Sequence, residues 1–139
     1  MIFGKAAGMI DKTAMMQALV ETCPTFTPVY ESFISDWPDE HDRPLYLLLA
    51  DFARFLVTLL ESGNHEIMNA AFELIETLIT DGDSFVSTAA VVGILENLQN
   101  TNIHRSTTPD QFVTLLGTMS LDHWQKLNEF WSGSGPSEI

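Results

Sequence analysis

The sequence predicts an all-α fold in a single domain, a bundle of about six to seven antiparallel helices. Three observations carry this. Apolar residues recur at three and four positions instead of alternating, which is helical and not strand spacing. Only six prolines and eight glycines punctuate the chain, so there are few places to break it. At 139 residues, 45% of them hydrophobic, it has the length of one domain and can remove roughly two thirds of its unfolded surface from water.

A first helix is expected from about Thr13 to Thr22, ending before Cys23-Pro24 because the residue ahead of a proline avoids helical angles. Thr27-Pro28 opens a second, with Thr27 as cap and Pro28 in the first turn, where its missing N–H costs nothing. It ends near Trp37-Pro38, and DWPDEHDRP over 36–44 is a loop. A third helix runs from about Pro44 to Glu61 and is stopped by Ser62-Gly63, the usual place for a C-terminal glycine. Apart from a stripe of Asp51, Arg54, Thr58 and Glu61 its surface is apolar, so it should be mostly buried.

Asn64 is placed to cap a fourth helix, reaching about Thr80, and Asp83 a fifth, from Ser84 to about Asn100. The fifth is apolar almost all round, which marks a central helix. Short turns between helices three, four and five imply antiparallel neighbours and a HEAT-like central hairpin, although no long sequence period repeats. Thr108-Pro109-Asp110-Gln111 reads as a capping box for a short helix to about Leu116. Ser120 opens the last helix, with Leu121, Trp124, Leu127 and Trp131 as a core stripe and Phe130 on the other side. The domain is thus expected over 15–133, with an N-terminal extension over 1–14 and a flexible tail over 134–139.

Nineteen acidic residues face six Lys and Arg, a formal net charge of −13 and a pI near 4.3. That sign opposes binding to free nucleic acid or to an anionic membrane surface. A mean hydropathy of +0.09 argues against disorder. The longest apolar run, Leu45 to Ala50, is far short of the ~20 residues of a bilayer span. Lys5, Asp11 and Lys12 interrupt the N-terminus before a signal core of about 7–15 residues can form. A single cysteine, Cys23, excludes an internal disulfide and reads as a small buried hydrophobe. The expected location is the cytoplasm.

Searches for reactive constellations give little. No Glu-x-x-His occurs at any of the four histidines, and HExxH and paired CxxC are absent. Asp81-Gly82-Asp83 resembles a piece of a calcium loop, but the other ligand positions are missing, so it reads as a helix end followed by a cap. No phosphate-cradling glycine loop and no hydrolase order of Ser, His and Asp are found. No cofactor, metal site or catalytic residue is expected. Glu96, on the apolar fifth helix, should be buried and paired with Arg54 or a histidine. A carboxylate enzyme centred on it is the least favoured reading.

The positive signal is the distribution of charge. Between Arg54 and Arg105 there is no Lys or Arg, yet Glu61, Glu66, Glu73, Glu76, Asp81, Asp83 and Glu96 lie there. On helix four, Glu66, Asn69, Glu73, Glu76, Thr77 and Thr80 share one arc of roughly 100°, opposite Ile67, Ala71, Leu74 and Leu78. Glu73 and Glu76, at neighbouring positions of one face, repel by a few tenths of a kcal/mol. Such a face is either simply solvated or steers a partner. Trp37 among Asp36, Asp39, Glu40 and Asp42 either closes helix two or offers an aromatic anchor inside an acidic rim.

The segments ETCPTF (21–26), LYLLLADFARFLVTLLESG (45–63), FELIETLITDGD (72–83), VVGILENLQN (91–100) and LDHWQKLNEFWSG (121–133) resemble those of a family of small, all-helical, largely uncharacterised bacterial proteins. Members of that family look like immunity proteins of polymorphic or contact-delivered toxin systems. The resemblance covers roughly 15–133 and leaves Met15 or Met16 as alternative starts. It implies no catalytic residue. It implies a cytoplasmic immunity protein that occludes the active site of a cognate toxin domain. The acidity would suit a toxin with a basic cleft, such as a nuclease or a nucleotide-acting enzyme. The expected contacts are Trp37, Asp39, Glu40 and Asp42 in the loop and Glu66, Glu73 and Glu76 on helix four. The alternative is a non-catalytic helical adaptor or oligomerisation module for an endogenous partner.

Overall fold

A computed structural model describes residues 10–132. The tail expected over 134–139 and all but the end of the extension over 1–14 lie outside the described residues. Within them the fold is all-α, with seven α-helices joined by turns and short 3-10 segments.

Helix α1, Lys12–Thr22, is capped by Asp11, whose carboxylate accepts the Ala14 amide at 2.9 Å. Ahead of it Ile10 is 1% exposed and pairs with the corner at Asp81-Gly82-Asp83: the Ile10 N–H donates to the Asp81 carbonyl at 3.1 Å, and the Ile10 carbonyl accepts the Asp83 N–H at 2.9 Å. Packing therefore begins N-terminal of Met15. At that corner a Cβ on Gly82 would fall onto the Leu78 carbonyl oxygen and Val86, so only glycine fits.

A 3-10 turn, Pro24–Phe26, runs directly into α2, Thr27–Asp36. Thr27 is already helical and makes no capping bond, which corrects its expected role. The turn is anchored by Phe26, fully buried, with ring centroids 5.1 Å from Phe52 and 5.3 Å from Phe55.

Helix α3, Leu45–Ser62, folds back through Gly63 into α4, His65–Asp81. Gly63 has φ 77°. The Asn64 amide reaches the Leu59 carbonyl and the Gly63 amide the Leu60 carbonyl, a paired closure that needs a left-handed residue. Asn64 makes no side-chain cap, because the closing turn already takes up its backbone. The α3–α4 pairing does not by itself establish a HEAT-like relation.

The expected fifth helix is one rod in three parts: α5, Ser84–Ala89, a π-helical stretch, Ala90–Leu95, and α6, Glu96–Leu98. Asp83 caps it as expected, accepting the Val86 amide at 2.8 Å. The rod is central, packed by α3, α4 and α7. A Cβ at Gly93 would lie 2.6 Å from Leu49 Cδ1, so glycine sets the approach of the rod to α3. Centrality does not make the rod buried all round, since Phe85 and Val92 are exposed.

Pro109–Leu115 forms a 3-10 helix, not an α-helix, and Gln111 accepts the Thr108 amide at 2.8 Å as the capping box requires. The last helix, α7, Thr118–Ser132, begins before Ser120. Trp124 is buried and Leu121 and Leu127 are half-buried, but Trp131 is 60% exposed. The expected core stripe therefore ends one turn early, and Trp131 lies beside the exposed Val92 at an open cavity.

Candidate functional site

Missing cations do not leave all the acids of the Arg54–Arg105 stretch unrelieved. Glu61 reaches across from α3, and one of its oxygens accepts the Arg105 amide at 2.7 Å, the Ser106 amide at 3.1 Å and the Thr107 hydroxyl at 3.3 Å. Glu76 reaches from α4 to the start of α7. It accepts the Met119 amide at 3.0 Å, the Ser120 amide at 2.9 Å and the Ser120 hydroxyl at 2.8 Å. Free amides at a helix start carry partial positive charge and need acceptors. Gly117 makes room, since a Cβ there would stand 2.6 Å from the Glu76 carboxyl.

Both carboxyls respond to these bonds. The Arg105 and Ser106 amides, against slight desolvation, hold Glu61 below its ordinary value, helped by Thr107 and the Arg105 charge. For Glu76 desolvation pushes upward. The Met119 and Ser120 amides, the Ser120 hydroxyl and the His123 charge outweigh it, and the net shift is down. Charge-assisted bonds to several amides favour the ionised form.

Glu66 and Glu73 are exposed on α4, while Glu76 is half-buried. The acidic arc read from the sequence therefore exists, but its third carboxylate is taken up by α7. The sequence carries no local mark of this, because the acceptor and its amides lie more than forty residues apart.

The acids of the 36–44 loop behave differently. Asp36, Asp39, Glu40 and Asp42 are all exposed. Asp39 accepts the His41 amide at 3.0 Å and starts a 3-10 turn, Glu40–Asp42. The side-chain carboxylates of Asp36, Glu40 and Asp42 make no hydrogen bond or ion pair among the described residues. Nor does the neighbouring cation neutralise them. Arg43 turns inward and donates to the Trp37 carbonyl at 2.8 Å and the Pro38 carbonyl at 3.4 Å, bracing the loop backbone.

Trp37, 39% exposed, lies over an open groove of about 410 Å³ between α2 and α3. Val29, Phe33 and Leu47 provide its apolar wall, and Asp36 and Asp51 stand at its edge. Asp51 pairs with Arg54 at 3.2 Å in solvent. Val29 and Leu47 carry no chemical signature and were not singled out by sequence. The structure joins them to Trp37 because consecutive turns of α2 and α3 face one another.

A second apolar surface lies along the rod. Tyr46 and Phe85 meet edge to face at 6.3 Å, Val92 and Trp131 share an open cavity, and Trp131 meets Phe130 at 5.2 Å. Each of these five side chains is at least 40% exposed. Glu96 lines the same cavity and its carboxylate has no hydrogen-bond or ion-pair partner among the described residues, which corrects its expected buried pairing with Arg54 or a histidine.

Among the described residues no group of three or more His, Cys, Asp or Glu is placed to hold a metal ion, and no helix is long and apolar enough to cross a membrane. Cys23 is buried, its thiol pushed up to about 11 by desolvation, so it is a poor nucleophile.

The fold and surface define an all-α domain with two exposed apolar surfaces, one of them edged by the free carboxylate of Asp36. The chain belongs to the DUF7674 family, a domain of unknown function, whose model matches residues 16–132. No curated protein and no solved structure matches it.

Proposed function

We propose that this chain is a cytoplasmic immunity protein, a binder and not an enzyme, that occludes the active site of a cognate bacterial toxin domain with a basic cleft. The observation that carries the reading is the α2–α3 groove: an exposed Trp37 over an apolar wall with the free carboxylate of Asp36 beside it, and Glu40 and Asp42 exposed in the loop that follows. An aromatic anchor inside a charged rim is the usual composition of a binding hot spot. Free carboxylates of one sign speed encounter with a basic partner and mimic an anionic substrate. A nuclease or nucleotide-acting toxin fits that chemistry. Trp37, Asp39, Glu40 and Asp42 supply contacts, Glu66 and Glu73 supply long-range attraction, and Glu76 acts indirectly by fixing α7.

The test is co-expression with a toxin-like gene encoded beside this one. Survival of the host, with co-purification and loss of the toxin's activity in vitro, is the expected result. Full toxicity in the presence of folded protein would end the reading.

The exposed band of Tyr46, Phe85, Val92, Phe130 and Trp131 favours a second reading, a helical adaptor or oligomerisation module. Concentration-dependent self-association in sedimentation, lost on Phe130→Ser with Trp131→Ser, would support it. A monomer at all concentrations would count against the oligomerisation form.

A further inference from the structure

The cavity of about 390 Å³ between the end of the rod and α7 is lined by one carboxylate, three side-chain amides and the Thr101 hydroxyl. The Asn97 amide nitrogen donates to the Gly93 carbonyl at 2.8 Å, which leaves its oxygen. The Gln99 amide nitrogen donates to the Trp124 carbonyl at 3.0 Å, and its oxygen is buried without a partner. Glu96 has a free carboxylate. Asn100 is the exception, its oxygen accepting the Asn102 amide. These groups sit at the C-terminal end of the rod, where the helix dipole is negative. The apolar walls are Val92, 43% exposed, and the indole of Trp131, 60% exposed. Among the described residues no Lys or Arg lines the cavity.

Acceptors at a helix C-terminus beside an aromatic face select a cation with several donors. A guanidinium suits this better than an ammonium, because it is planar, weakly hydrated and stacks on an indole while its edge donates. We propose that this cavity receives an arginine side chain presented by a partner polypeptide. The guanidinium lies against Trp131 with its N–H groups toward Glu96 and the Asn97 amide oxygen, and its methylene stem lies along Val92. The site shares no lining residue with the α2–α3 groove, so it stands whether or not the partner is a toxin.

The test is a titration of the full chain with N-acetyl-arginine amide, followed by the indole N–H resonance of Trp131, assigned through Trp131→Phe. A saturable shift is expected, weakening as salt is raised and absent with the neutral isostere N-acetyl-citrulline amide. Glu96→Gln should weaken binding by about tenfold, the effect of losing one charge-assisted contact. Val92→Lys, which places a cation in the cavity, should abolish it. Equal binding of the citrulline compound, or unchanged affinity in a folded Glu96→Gln variant, would overturn the proposal. Binding of agmatine at least tenfold tighter than the blocked arginine would overturn the polypeptide source in favour of a free guanidine.

Discussion

On the α4 side of the molecule, Glu61, Glu76 and Asp83 turn their carboxylates onto backbone amides, whereas at the end of α2 and in the loop after it Asp36, Glu40 and Asp42 keep theirs in solvent. Both regions are poor in cations. In the first, amides at loop and helix starts take the place of Lys and Arg, so the charge is used in holding distant segments together. In the second, Arg43 is drawn to carbonyls and Arg54 to Asp51, and the other acids remain available to something outside the chain. Net charge alone does not separate these uses. The number of donors facing each carboxylate does.

The sharpest way to break the comparison is at the α7 clasp. Glu76→Ala removes three acceptor contacts and should destabilise the fold by about 2 kcal/mol. Gly117→Ala should cost a similar ~1–3 kcal/mol by pushing the carboxyl out. Because both act on one contact, urea denaturation of the double variant should show less than the sum. Additive losses would mean that Gly117 does not serve Glu76.

Trp37→Ala should do the reverse, weakening a cognate partner by about 2 kcal/mol, roughly 30-fold, as for a hot-spot anchor. Its cost to folding should be only about 1 kcal/mol, because the ring is part-exposed. Calorimetry with the partner and thermal melts of the free chain separate the two. A variant that loses stability but not affinity would place Trp37 with the structural residues.

Replacing Asp36 and Asp42 by Asn and Glu40 by Gln should slow association by about tenfold at low salt, and little at high salt, with stability unchanged. Stopped-flow rates against ionic strength check this. Glu66→Gln and Glu73→Gln should change stability by no more than about 0.5 kcal/mol, which a melt resolves. A larger loss would show that the exposed α4 acids are also structural.

The pH dependence divides the regions as well. Glu61 and Glu76 titrate lower in the folded chain than their ordinary 4.5, so folding favours their ionised forms. Their contribution is complete well above pH 4.5 and is lost as pH falls through the lowered folded values. Stability measured from pH 6 downward should therefore decline, and the decline should flatten in Glu61→Gln with Glu76→Gln. A slope untouched by that pair would sever the clasps from acid sensitivity.

The helices and most of their ends were legible in the sequence, because period, caps and glycine stops are local. Asp83 and Gly63 act as read. Thr27, Asn64 and Ser120 do not act as expected, since neighbouring turns or a distant carboxylate already serve those helix ends. In the candidate site Trp37 and the loop acids were legible as residue types in an unusual company. Val29 and Leu47 were not, being ordinary apolar residues until α2 and α3 are set side by side. Trp131 and Glu96 were read as buried, but the rod and α7 leave an open cavity that both of them line.

By itself, then, the sequence determined the all-α class, the order of the helices and the excess of acid, because these depend on spacing within a few turns and on counting. Only the tertiary structure decided which carboxylates are occupied. A carboxylate's role depends on the amides and cations within about 3 Å of it, and for Glu61 and Glu76 those come from segments more than forty residues away.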